Sequence, residues 1–175
     1  MSLRSVTGIG SLGLALLAAP AMSLAQDCDA DAQVANLDFV VEDMNGQEVV
    51  LRDYLGQVIL LDFWATWCAP CRIEMPWFVE FFDEYEADGF VVLAFDVDDP
   101  ASAIRSFAER YGMDFPVLVG ADRDDFKDAY GPPVGYPTAF LIDRGGRICK
   151  THTGFTARET FEQEIEALLR TTSGV

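Results

Sequence analysis

Two stretches, Val58 to Trp64 and Phe90 to Val97, are apolar at nearly every position, which reads as strands buried on both faces of a parallel sheet. Between them, Arg72 to Asp88 carries Met75, Phe78, Val79 and Phe82 at helical spacing, and Gly89 follows as a stop. Upstream, Leu37, Phe39 and Val41 alternate with other residues, Asn45-Gly46 is a turn signal, and Val49 and Leu51 resume the alternation, so a short hairpin is expected. Downstream, Asp99 suits an N-cap and Pro100 a first turn; Ile104, Phe107, Ala108 and Tyr111 then mark a buried stripe ending at Gly112. Phe115 to Val119 predicts a further strand, and Asp124 to Tyr130 a short helix stopped by Gly131-Pro132-Pro133. Thr138 to Asp143 and Arg147 to His152 form a second hairpin around Arg144-Gly145-Gly146. Thr156-x-x-Glu159 is a capping box, opening a last helix that buries Phe161, Ile165, Leu168 and Leu169. Alternating β and α elements with a late antiparallel hairpin predict a mixed central sheet with helices on both faces.

The first residues break this pattern. Arg4 is the only charge before Asp27, and Ile9 to Ala19 is rich in Leu, Ala and Gly. With Pro20 behind the apolar run and Ser23-Leu24-Ala25 presenting small residues, an export signal over 1–25 with cleavage after Ala25 is expected. The alternative is an uncleaved membrane anchor, because the uncharged run from Ser5 to Gln26 is just long enough to span a bilayer. Residues 26–36 then form an N-terminal extension and 37–170 one domain, a size that 175 residues at 50% hydrophobic content support. A net charge of -17 and the absence of a Lys/Arg cluster exclude nucleic acid as a partner. This acidity is read as solubility for an exported, monomeric protein.

Against that background the chemistry concentrates in Trp67-Cys68-Ala69-Pro70-Cys71. Two cysteines separated by two residues close and reopen a small disulfide, and here a buried strand delivers them to a helix start. Unpaired amides and the positive dipole end favour a thiolate there, so Cys68 is the expected nucleophile and the deeper Cys71 the resolving thiol. Pro70 is tolerated at that point, whereas Pro76, deeper in the helix, deprives the Arg72 carbonyl of its donor. Asp62 lies in the apolar strand six residues ahead of Cys68. Burial should raise its pKa and fit it to exchange a proton with Cys71.

The run Asp62-Phe63-Trp64-Ala65-x-Trp67-Cys68-x-Pro70-Cys71, followed by Cys71-Arg72-x-Glu74-x-Pro76 and the distant Gly135-Tyr136-Pro137-Thr138, resembles the TlpA/ResA-like branch of thioredoxin-fold thiol-disulfide oxidoreductases. The resemblance spans Leu37 to Leu169 and implies a thioredoxin-like α/β fold with an inserted helix-strand unit. It further implies a buried acid at Asp62, a cavity glutamate at Glu74 and a cis bond at Tyr136-Pro137, where the main chain meets an extended partner. Trp67, Ala69, Pro70, Tyr136 and Pro137 are thus the expected partner-binding surface, with Trp64 and Trp67 packed around the dithiol. The implied activity is reduction of disulfides in exported proteins, such as an apocytochrome c or a copper-site maturation protein, with an upstream membrane or exported electron donor and no cofactor. A periplasmic location is implied, or an anchored one facing that compartment.

Cys28 and Cys149 remain, and because exported proteins use cysteines in even number they are expected to form a structural disulfide. Connectivity is not readable from spacing, so free thiols or a second redox pair stay open. A different class of function is a metal module in which Cys68, Cys71, Cys149 and His152 bind zinc or copper, although a lone histidine is more often a surface residue. Asp96, Asp98 and Asp99 lack the glycine and distal glutamate of a calcium loop and read as a capped helix and a solvated strand end. A peroxidase is disfavoured, since no Pro-x-x-x-Thr-x-x-Cys motif contains Cys68.

Overall fold

The computed structural model describes residues 28–29, 31–131 and 134–171. The apolar N-terminal segment with its expected cleavage after Ala25, and the Pro132-Pro133 stop, lie outside the described residues. Among those described, no helix is long and apolar enough to cross a membrane.

The hairpin around Asn45-Gly46 forms, as β1 (Val40–Glu42) and β2 (Glu48–Val50). The two apolar runs are β3 (Val58–Trp64) and β4 (Phe90–Asp96), every residue of both is buried, and they pair in parallel through α1 (Cys71–Tyr85). The helix-strand unit that follows is α2 (Ala101–Tyr111) and β5 (Val117–Val119), which adds a parallel edge strand to β4. After α3 (Asp124–Ala129) the chain returns as the antiparallel hairpin β6 (Thr138–Ile142) and β7 (Ile148–Thr153), and closes with α4 (Arg158–Arg170). The sheet order β5-β4-β3-β6-β7 puts the strand that leads into the dithiol at the centre.

Alternation along β3 sends its side chains to two different layers. Phe63 points to one face and meets Phe95, Phe126 and Phe140 at centroid distances of 5.2, 5.7 and 5.8 Å, an aromatic layer closed by α3. The other face is covered by α1 and α4, where Phe78 meets Phe161 edge-on at 5.1 Å. Both sheet edges, which would otherwise expose unpaired backbone groups, are occupied. Asp43 bridges to Leu118 on β5, while the Ala35 amide donates to the Gly146 carbonyl and the Ile148 amide to that of Gln33 at the β7 edge. Gly120, just after β5, lies so close to β4 that a Cβ would collide with the Asp96 carbonyl and the Phe95 ring.

Helix starts are where the sequence pattern misleads. α2 is capped by Pro100 and α4 by Ala157, neither with a side-chain cap bond, so Asp99 is not the N-cap and Thr156-x-x-Glu159 is not a capping box. In both cases the capping group is taken by a tertiary partner. The Asp99 carboxylate accepts the Thr66 amide at 2.7 Å, and the Thr156 amide donates to Glu74 Oε1 at 2.7 Å. Inside α1, Phe81 and Tyr85 are buried along with Met75, Phe78 and Phe82, while Val79 is only half-buried.

Candidate active site

A tight turn links β3 to α1: the Cys68 amide donates to the Ala65 carbonyl at 3.1 Å, and Pro70 holds the N-cap position with helical dihedral angles. Cys68 and Cys71 form a disulfide across this turn. The Cys71 amide points at Cys68 Sγ from 3.3 Å, so the first free donor of the helix is aimed at that sulfur. Cys68 is 4% exposed and Cys71 0%, an asymmetry that leaves one sulfur at the rim and the other beneath it.

The rim is aromatic. Trp67 is 58% exposed and stands edge-on to Tyr136 at 6.1 Å, and the Tyr136-Pro137 peptide is cis. That contact brings the cis bond to the side of the dithiol loop. Trp64 turns away from the rim instead, fully buried with its ring 4.9 Å from Phe107 of α2.

Two carboxyls are buried next to the dithiol turn in sequence, Asp62 on β3 and Glu74 in the first turn of α1. Asp62 has no hydrogen-bond partner for either oxygen, and Glu74 keeps Oε2 unpaired while Oε1 takes the Thr156 amide. Burial holds the Asp62 carboxyl well above the usual carboxylate range, and the neighbouring Glu74 charge raises it further. Burial likewise lifts Glu74 to about 7, against the Thr156 amide and the His152 charge, which pull it down.

Sequence reasoning missed a third acid. Asp96 is not at a solvated strand end: it is buried at the end of β4, and its Oδ1 accepts the Asp98 and Asp99 amides at 3.2 and 2.7 Å. Burial raises it to about 8, against the Asp99 and Asp98 amides, which pull it down, and with the Asp99 carboxylate adding to the rise. The loop it organises grips the dithiol turn, through Asp99 to the Thr66 amide and through Asp98 Oδ1, which accepts the Trp67 indole N–H at 3.0 Å. Three acids closing a fully apolar strand were the available signal.

The four residues of the zinc or copper alternative do not converge. Register sets Phe63 of β3 against Thr138 of β6, and Thr138 against Thr153 of β7, so the end of β7 that carries Cys149 lies toward the start of β3, away from the dithiol. Cys149 is bonded to Cys28. Among the described residues, ligand-type side chains converge only as Cys28, Asp143, Cys149 and as Asp96, Asp98, Asp99. The first set is closed by the disulfide and by Arg147, which pairs with Asp143 at 2.7 Å. The second is committed to the loop contacts just described. His152 is not a surface residue: it is half-buried, with Nε2 2.6 Å from Glu164 Oε2.

The raised acids carry a stability consequence with a definite sign. Between pH 4 and 8 the folded protein holds protons on Glu74 and Asp96 that the unfolded chain has released, because their folded values are about 7 and about 8 against ordinary values of 4.5 and 3.8. Stability is therefore fullest below this window and falls as pH rises through it. Glu74→Gln and Asp96→Asn keep the acceptor oxygen without the charge, so each should melt higher than wild type at pH 8 and show a flatter pH dependence. Thermal melts at pH 4.5 and 8 read this directly, and a variant slope equal to that of wild type would mean the replaced acid does not titrate in the window.

Comparison with known proteins agrees with this geometry. The AhpC/TSA family model matches residues 32–151. The thiol-disulfide oxidoreductase ResA of Geobacillus thermodenitrificans is 41% identical over 132 residues, covering 75% of this chain and 74% of that protein. Its counterpart in Bacillus anthracis is 35% identical over 132 residues, covering 75% of each. Among solved structures, a Chlorobium tepidum protein assigned as a DsbE thiol:disulfide interchange protein superposes with a TM-score of 0.71 at 36% identity, covering 79% of this chain and 98% of that one. With a dithiol at a helix start, a cis proline beside it and this likeness along most of its length, the chain belongs to the AhpC/TSA family, as one of its thioredoxin-fold, ResA-like thiol-disulfide oxidoreductases.

Proposed function

We propose that this oxidoreductase is an exported reductant: reduced Cys68 attacks a disulfide in an exported partner protein, and Cys71 displaces the partner thiol, leaving the enzyme oxidised. The observation that carries the direction is the pair of buried acids, Asp62 and Glu74, with three oxygens that no protein donor satisfies. Acid oxygens that lack donors mark dry, uncompensated surroundings, and such surroundings oppose a further negative charge at the dithiol. A thiolate that is hard to form makes the disulfide comparatively stable, so the reduced form gives its electrons away readily. Strong oxidases do the reverse, holding a stabilised thiolate, and the Ala69-Pro70 pair between the cysteines supplies no cation for that purpose.

Asp62 and Glu74 serve in this reading as proton acceptors and donors for Cys71, which must lose its proton to resolve the mixed disulfide and regain one on reduction. Trp67, Ala69, Pro70 and the cis Tyr136-Pro137 segment form the docking surface, where the exposed indole covers partner side chains and the main chain at Tyr136 pairs with an extended segment. Residues 1–25 act as the export signal, the compartment is the periplasm or its equivalent, and an upstream membrane or exported donor re-reduces the monomer. Apocytochrome c thiol pairs and copper-site maturation proteins are the substrates to try first.

Equilibration against a dithiothreitol or glutathione series tests the direction. A reduction potential near the thioredoxin end, about -270 mV, is expected, and a value near the oxidase end, about -120 mV, would reverse the assignment.

A further inference from the structure

His152 has no part in the chemistry described so far, yet it belongs to the same layer as the buried acids. Asp62 on β3 pairs with Ala139 on β6, and Ala139 pairs with His152 on β7. Directly paired residues on neighbouring strands project from the same face of a sheet, so Asp62 and His152 share a face with only an alanine methyl between them. Neighbouring strands are about 4.8 Å apart, so about two strand spacings separate the pair.

The helices above this row complete it. α1 contributes Glu74, whose Oε2 is buried without a partner, and α4 contributes Glu164, whose Oε2 lies 2.6 Å from His152 Nε2. Phe161 of α4 packs edge-on against the imidazole at 5.1 Å and shields it. The charged and titratable groups facing His152 are therefore Glu164 from α4, Glu74 from α1, Asp62 from β3 and, two residues back on its own strand face, Lys150; β6 presents Ala139 and Leu141. Three carboxyls thus face one imidazole.

We propose that His152, clamped by Glu164, is a positioning residue whose positive charge terminates a buried polar row running through Glu74 and Asp62 and sets the pH range in which the dithiol exchanges. The inference rests on the reading that Asp62 and Glu74 handle the proton of Cys71. A positive charge on His152 favours the carboxylate form of Glu74, and the charge on Glu74 in turn bears on Asp62. His152 therefore keeps Glu74 able both to accept and to return a proton near neutral pH. Glu164 acts one step out, by holding the ring in place through its 2.6 Å contact with Nε2.

The test compares the pH profile of disulfide exchange, using a small disulfide such as oxidised glutathione as probe, in wild type, H152Q, H152K, E164Q and E74Q, with H152Q also placed in the E74Q background. H152Q and E164Q should move the acid limb to higher pH by about half a unit, read as an about threefold lower rate at a fixed pH on that limb. H152K carries a permanent charge and should move it the other way or leave it in place. In the E74Q background H152Q should have no further effect. An unmoved limb in both H152Q and E164Q, with E74Q shifting it, overturns the role of His152 alone. A shift by H152Q that persists in E74Q also overturns it, since the effect then bypasses Glu74. An E74Q profile identical to wild type instead removes the reading of Glu74 on which the inference stands. Near-UV circular dichroism on each variant confirms the native fold, and a misfolded H152Q leaves the decision to E164Q.

Discussion

Replacing Cys68 by serine is expected to reduce disulfide exchange to the uncatalysed rate, whereas Cys71→Ser should leave the first attack intact and accumulate a mixed disulfide with the partner. The asymmetry follows from the turn between β3 and α1. Cys68 keeps the only sulfur edge at the rim, and the Cys71 amide, with the helix dipole behind it, is aimed at Sγ from 3.3 Å. Cys71 is fully buried, which withholds it from an external disulfide until the mixed disulfide has formed. Sub-stoichiometric alkylation of the reduced protein should accordingly label Cys68 first, with peptide mapping as the readout. Preferential labelling of Cys71, or a stable mixed disulfide in the Cys68→Ser variant, would exchange the two roles.

The second large effect concerns stability. Removing the Cys28 to Cys149 bridge, as Cys28→Ser with Cys149→Ser, should lower the unfolding free energy by up to about 4–5 kcal/mol. The chain-entropy model assigns that value to a closed loop spanning a sequence separation of 121. A domain of this size has only about 5–15 kcal/mol in total, so the loss should appear as a large drop in the denaturant midpoint. Locally, the segment that pairs beside β7 through Val34 and Ala35 should fray first, since its described polar anchors to the rest of the fold are then the two backbone hydrogen bonds of the Val34–Arg147 bridge and the Tyr130 hydroxyl on the Asn36 carbonyl. Hydrogen exchange at Ala35 and Ile148 measures this separately from the global value. The dithiol reaction should be little changed, because the bridge sits at the opposite end of β7 from the active-site turn. An unchanged midpoint would show that the bridge does not constrain the unfolded chain.

The sequence by itself determined the frame and the reactive pair. Continuous apolar runs specify doubly buried strands wherever they sit, and the distance from Asp62 to Cys68 and from Cys68 to Pro76 is local covalent geometry that packing hardly alters. The cis Tyr136-Pro137 bond and the Cys28 to Cys149 connection were reachable only through family likeness and cysteine parity, since neither follows from spacing. What tertiary structure decided was the fate of polar groups. Asp99 and Thr156 have the residue types of helix caps, but each engages a group far away in sequence, the Thr66 amide and the Glu74 carboxyl, which tertiary packing brings alongside. Asp96 and His152 looked solvated because strand ends and lone histidines usually are. Loop closure over β4 buried Asp96 and the docking of α4 half-buried His152, and the register that aligns Asp62, Ala139 and His152 across three strands is a long-range property that no local pattern encodes.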